Sequence, residues 1–313
     1  MPRPRWSVMV PTCDDGDLLV HALRSVLDQG LGADLHLEVI DDASRTCDVR
    51  SLVAGVAGDQ AEVTVHPRRW GAAATFTHCI QRARGELVHI LHADDWVLPG
   101  CYEAYDAALR AHPEAEVAVA RSWFVDGAGE QLGLSGELEV HDGLLVDAER
   151  AIAMDNPVNF VGFVVARRAY EAVGGFDPEL PHANDWDMWT RLAHRGPIAV
   201  VPGVHACYRR HEGSDTTRLQ GSMGYLADPV EALAIIAERI DDPSVRAEVV
   251  GHVRRRFARG ALEVGGAGAR WRAPPRGHER RVGGSARSSA PHGGAAAGLA
   301  GQAVRNRFAR PGA

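Results

Sequence analysis

Through the first 120 residues, short apolar runs alternate with segments whose apolar positions recur every three or four residues. That alternation predicts βαβ units and a mainly parallel sheet. Trp6–Pro11 (WSVMVP) reads as a strand, Asp14–Asp17 as a turn and cap, and Leu18, Leu19, Ala22, Leu23, Val26 and Leu27 fall at helical spacing. Leu35–Ile40 predicts a second strand ending in Asp41 and Asp42, Val49–Ala57 a weak helix, and Val63–His66 a third strand. Ala72–Arg84 is helix-like until Gly85 breaks it, and Leu87–Leu91 is a fourth strand that runs into His92-Ala93-Asp94-Asp95. Helical Tyr102–Ala111 and a strand over Val117–Ala120 follow. Polar residues therefore gather just past the C-terminal ends of strands one, two and four, where open α/β sheets place their ligands.

From 121 to 225 the pattern is mixed. Trp123–Val125 is strand-like, a Gly-rich turn region extends to about 143, Asp147–Met154 predicts a helix and Phe160–Ala166 a strand. Asn184–His194 starts a clear amphipathic helix, and Asp228–Arg239 and Ser244–Leu262 read as two terminal helices. Beyond Gly265 no periodicity remains. The expected organisation is an α/β domain over 1–225, whose halves are 1–120 and 121–225, then C-terminal helices over 226–264, then a disordered basic tail over 265–313.

Composition adds four points. With 313 residues and 45% apolar content the chain can bury a sizeable core. No stretch approaches the roughly 20 apolar residues of a membrane helix, and Met1–Trp6 runs into a strand with no signal-peptide core, so the expected location is the cytoplasm. The five cysteines (Cys13, Cys47, Cys79, Cys101, Cys207) show no CxxC spacing and read as free thiols. All 34 basic residues are arginine, and the charge is uneven: residues 251–313 hold 13 Arg against Glu263 and Glu279, while the rest holds 21 Arg against 39 acids. An acidic body argues against nucleic acid as a partner. The basic tail suits peripheral contact with an anionic membrane surface, or else a plain solvated extension.

Four segments carry candidate chemistry. LHADD (Leu91–Asp95) delivers adjacent carboxylates to a strand end, where their repulsion suits a hard divalent cation; a turn or helix cap before Pro99 is the plainer reading. VIDDAS (Val39–Ser44) offers a carboxylate to a nucleobase imide or ribose, or an Asx turn capped by Ser44. NDWDMWTRLA (Asn184–Ala193) places Asp185 and Asp187 in a first helical turn ahead of Trp186, Trp189 and Leu192. That suits a general base beside sugar-stacking indoles, or dipole-stabilised acids with core tryptophans. YRRHEGSDTT (Tyr208–Thr217) could supply His211 to a metal and Arg209 or Arg210 to a phosphate, or be a solvated loop.

Together and in this order these segments resemble the family 2 glycosyltransferases of GT-A fold, over about residues 6–217. WSVMVPTCDDGDLLVHALRSVLDQ resembles the family's opening strand and helix, VIDDAS its Val-Val-Asp-Asp-Gly-Ser, RARGELVHILHADDWVLPG the stretch ending in its metal motif, and GGFDPELPHANDWDMWTRLA its acceptor-side segment. The resemblance implies an inverting transfer from a nucleotide diphosphate sugar, UDP or dTDP favoured, to an acceptor hydroxyl, with Mg2+ or Mn2+. Pro11, Thr12 and Asp14 would border the nucleotide, Asp42 meet the base, and Arg69, at the place of an Asn-x-Gly ending in Gly71, contact the donor. Asp94 and Asp95 would serve ribose, metal and diphosphate, with His211 a further metal ligand. Asp185 would be the base, and Gly162, Phe163, Trp186 and Trp189 would shape the acceptor pocket. Acceptor classes left open are a polysaccharide, a lipid-linked saccharide and a secondary metabolite. Three departures from the pattern involve four positions: His92 at the metal motif's first acid, Thr75 and Thr77 for asparagines, and Asn184 for a glutamate. A degenerate nucleotide-sugar-binding scaffold and a sugar-phosphate nucleotidyltransferase are the competing classes, and the second lacks its Gly-rich, lysine-bearing loop here.

Overall fold

The computed structural model describes residues 3–214 and 224–266. The elements are β1 (Trp6–Thr12), α1 (Asp17–Leu27), β2 (Leu35–Asp41), α2 (Val49–Ala57), β3 (Ala61–Val65), α3 (Ala72–Arg82), β4 (Leu87–Ile90), β5 (Trp96–Val97) and α4 (Cys101–Ala111). They continue with β6 (Val117–Val125), β7 (Gln131–Leu134), β8 (Val140–His141), β9 (Leu144–Leu145), α5 (Ala148–Asp155), β10 (Phe163–Ala166), α6 (Arg167–Val173), α7 (Asn184–Arg195) and β11 (Ile198–Arg209). Two helices close the described chain, α8 (Gly224–Arg239) and α9 (Pro243–Gly266). Residues 1–257 form one compact unit and 258–313 a second, of which only the end of α9 is described.

One mixed, mostly parallel sheet runs in the order β3-β2-β1-β4-β10-β6-β11-β9-β8, with β5 on β11 and β7 on β6. β1 lies parallel between β2 and β4, and all seven of its residues are buried, as a strand covered on both faces requires. Its side chains alternate between two cores. Val8 and Val10 join Leu37, Val39 and the inner faces of α1, α2 and α4. Met9 joins Ile40, Val88 and Ile90 under Phe76 of α3, Ile152 of α5, Trp186 and Trp189 of α7, Ile236 of α8 and Val249 and Val253 of α9. The C-terminal helices thus share the core beneath α7.

Several local expectations change. β10 inserts antiparallel between β4 and β6, so strands from both halves of the chain interleave in one sheet. Val117–Ala120 and Trp123–Val125 are one continuous strand, and the Gly-rich region contains the short β7, β8 and β9. β11 goes beyond the elements expected from the sequence: Pro202 and Gly203 interrupt its pattern after Ile198–Val201, and the structure absorbs them as register shifts around Val204, with Gly203 at φ 94. All five cysteines are free. No helix among the described residues is long and apolar enough to cross a membrane. The tail on which the expected membrane contact rests lies outside the described residues.

Candidate active site

The loops after β1, β2 and β3 are sewn together by carboxylates. Past the buried Pro11 and Thr12, Asp15 accepts from Thr12 Oγ1 (2.8 Å) and from the Cys13 amide (2.9 Å); burial nevertheless lifts its carboxyl above the usual range. Asp14, at φ 71, accepts from the Arg45 amide (2.5 Å), the Thr46 amide (2.8 Å) and Thr46 Oγ1 (2.9 Å), and pairs with Arg69. These donors, the Arg45 amide foremost, hold Asp14 below the ordinary carboxylate range. The Asp41-Asp42 pair divides its work. Asp41 closes the turn after β2, accepting from Ser44 N (2.9 Å) and Oγ (2.6 Å). Asp42 accepts from the Trp70 amide (2.7 Å), the Gly71 amide (2.9 Å) and His66 Nδ1 (2.8 Å), and His66 Nε2 in turn lies 2.8 Å from His78 Nδ1. His66 and His78 carried no signal in the sequence; only the fold brings them to Asp42.

At the end of β4, ligand atoms of His92, Asp94 and Asp95 lie within 4.8 Å of one another. His92, the departure from the family's first acid, packs between Phe76 and Phe160 at ring distances of 5.0 and 4.3 Å and belongs to this donor set. Asp95 is buried; its Oδ1 accepts from the Arg209 amide (2.8 Å), and its Oδ2 has no hydrogen-bond partner among the described residues. Burial first, and the Asp94 charge second, push the Asp95 carboxyl well up. Burial also acts to raise Asp94, but His211 Nε2 at 3.1 Å and the charges of His92 and His211 outweigh it, leaving Asp94 below its usual value. The same bond raises His211. Two carboxylates and an imidazole around an orphaned, buried carboxylate oxygen fit a hard divalent cation, which would relieve the cost of burying that charge.

Arg209, expected as a phosphate ligand, faces the protein instead. Its Nε donates to the Asp94 carbonyl (2.9 Å), its Nη1 to the Gly127 carbonyl (2.9 Å), and its guanidinium lies 4.7 Å over the Trp96 ring. It latches the acidic loop to β11. The exposed Arg210 stacks 3.9 Å over Phe124.

Asp185 sits in the first turn of α7, where its Oδ1 accepts from the Trp186 amide at 2.6 Å. Burial raises its carboxyl; that amide, His182 and Asn156 act in the opposite sense without cancelling the shift. Asp187 is structural: it is buried and holds Arg191 (2.9 Å) and Arg239, tying α7 to α8. Three of the expected acceptor residues are core. Trp189 is fully buried and lies parallel to buried Phe163 at 3.9 Å, and a side chain on Gly162 would meet the Ala120 carbonyl at 2.5 Å. Helical spacing alone could not separate a core indole from a pocket indole. Trp186 is buried too, its Nε1 donating to the Ile152 carbonyl (2.9 Å). His92 packs on Phe160, and Phe160 on Trp189 at 5.1 Å, so the metal-donor set and α7 share one aromatic cluster. Thr77, a second departure, accepts from the Phe176 amide (2.9 Å) and abuts Gly175, fixing the loop that leads toward Asp185.

The description "Glycosyl transferase family 2" attaches to a family model that matches residues 7–169. The uncharacterized protein MT1568 of Mycobacterium tuberculosis (strain CDC 1551 / Oshkosh) is 24% identical over 257 residues, 78% of this chain and 79% of the relative. Among solved structures, S. aureus TarS 1-349 in complex with UDP-GlcNAc superposes with a TM-score of 0.65 at 18% identity, over 81% of this chain and 73% of that one. The mannosyltransferase PcManGT from Pyrobaculum calidifontis, in complex with GDP-Man and Mn2+, gives 0.58 at 17% identity, over 86% and 77%. The likeness to both is one of fold. With the family model spanning more than half its length, the chain belongs to glycosyl transferase family 2 and is a glycosyltransferase of GT-A fold.

Proposed function

We propose that this glycosyltransferase is inverting and divalent-metal dependent, moving a sugar from a UDP or dTDP donor to an acceptor hydroxyl. Residues 1–225 would be the transferase domain, and 226–264 a helical buttress for α7. The observation that carries the reading is the buried Asp95 carboxylate, with its orphaned oxygen beside Asp94 and His92 at the ligand-binding end of the sheet. The nucleotide sugars bound by TarS and PcManGT, and the Mn2+ in the latter, support a donor and a cation of this kind.

Asp94, Asp95 and His92 would hold Mg2+ or Mn2+, with His211 ordering Asp94 from outside. Bound there, the cation supplies positive charge against the diphosphate that leaves. The stapled loop of Thr12, Asp14 and Arg69 would hold the nucleotide, and the pinning of that loop limits what must be ordered on binding. Asp185 takes the acceptor proton; burial raises its carboxyl and so makes it a stronger base than an exposed aspartate. Trp186 carries the amide that orients it.

Release of nucleotide from UDP- and dTDP-sugars with Mn2+, measured on wild type and on Asp185→Asn, tests the reading. The variant is expected to bind nucleotide as wild type does while losing turnover. In wild type the rate should fall as pH drops through the raised Asp185 pKa and hold above it. Full turnover in Asp185→Asn removes Asp185 as base.

A further inference from the structure

Trp70 is the one aromatic among the exposed large hydrophobic residues described, with 42% of its surface accessible. A lone exposed indole is ordinary; an indole braced this thoroughly is not. One face lies on the His66 ring at 3.8 Å, with 17° between the planes. His66 is itself held by Asp42 on one side and His78 on the other. The Trp70 amide donates to Asp42 Oδ1 and the Gly71 amide to Asp42 Oδ2 (2.7 and 2.9 Å), while Arg69 is held by Asp14. The ring is thus fixed in backbone and in plane, on the loop between β3 and α3, next to the carboxylates that end β1 and β2.

Asp42 is buried, and about one acceptor direction of its carboxylate is left for a base edge. A carboxylate has about four lone-pair directions, and three here accept from the protein's own groups. What this corner offers a ligand is a flat, preordered π surface. We infer that Trp70 is a stacking platform for the nucleobase of the donor, and that Asp42 acts on the base indirectly, as the positioning residue for the Trp70 loop. The inference rests on the nucleotide-sugar reading above. Because every base has a π face, a platform of this kind holds uracil and guanine alike, so donor choice among bases is weaker than edge recognition by Asp42 would impose.

The test is calorimetric titration of UDP, GDP and pyrophosphate, each with Mn2+, into wild type, Trp70→Phe and Trp70→Ala, with thermal melting as the check on folding. Trp70→Ala is expected to bind UDP and GDP roughly 5- to 150-fold more weakly and pyrophosphate, which has no base, as wild type does. Trp70→Phe keeps a ring and should stay close to wild type. Equal weakening toward pyrophosphate would make Trp70 a structural residue, and unchanged UDP binding in Trp70→Ala would remove it from the site; either overturns the inference while leaving the donor reading intact. A wild type that binds pyrophosphate but no nucleotide overturns both.

Discussion

Replacing Arg209 by methionine separates the phosphate-ligand role that the sequence suggests from the structural latch that the fold shows. The guanidinium donates to the Asp94 and Gly127 carbonyls at 2.9 Å each and lies 4.7 Å over Trp96. Hydrogen bonds from a charged donor contribute about 1.5–3 kcal/mol each, and the cation–π contact about 1 kcal/mol. Water entering the vacated space recovers part of this, so Arg209→Met should cost about 4 kcal/mol. For a unit of this size that is a fall in melting temperature of roughly 8–16 °C. Arg209→Lys should fall between, because one ammonium cannot serve both carbonyls in the guanidinium's geometry. The assay is thermal melting by circular dichroism beside UDP titration with Mn2+. A latch predicts lost stability in the nucleotide-free protein. A melting temperature within about 2 °C of wild type, together with weakened UDP binding, would refute the latch and restore the phosphate role.

Two further outcomes follow from the geometry. Glu38 is buried against His36, Thr64 and Arg82; burial opposes its ionisation, but these partners win and bring its pKa down to about 2. A depressed carboxyl contributes stability that is complete above its unfolded value near 4.5 and is lost as pH falls toward 2. At about 1.4 kcal/mol per pH unit, discounted for the half-open Arg82, Glu38 is worth roughly 2 kcal/mol at pH 7. Urea midpoints at pH 7 and pH 3 should therefore differ less in Glu38→Gln than in wild type, and identical pH sensitivity would contradict the assignment. Thr77→Val keeps the shape but strips the acceptor from the Phe176 amide, an expected loss of about 1–3 kcal/mol in urea unfolding that Thr77→Ser should restore; a valine variant as stable as wild type would show that the amide finds another partner.

What the sequence made legible was local. Strands that end in acids at Asp41-Asp42 and Asp94-Asp95 show in a few consecutive residues, and α7 shows in its three- and four-residue spacing. What it left dark was non-local. β11 is broken in the sequence by Pro202-Gly203, and the reach of Arg209 across 115 positions to the Asp94 carbonyl exists only after folding. The same holds for the antiparallel β10, which lies between strands drawn from distant parts of the chain. Periodicity placed Trp189 on an apolar face but not against Phe163 in the core. His92 and Thr77 stand out in the sequence only as departures from a family pattern, yet in the fold one joins the metal-donor set and the other fixes the Gly175-Phe176 turn.

The central claim is that a cation and a nucleotide meet at Asp94 and Asp95. Its most direct measurement is calorimetric titration of UDP, dTDP and GDP, with and without Mn2+, into wild type and into Asp94→Ala/Asp95→Ala, each confirmed folded by near-ultraviolet circular dichroism. The account predicts nucleotide binding that strengthens with Mn2+ in wild type and loses that dependence in the double variant. Binding indifferent to both metal and carboxylates, or none at all, would contradict it.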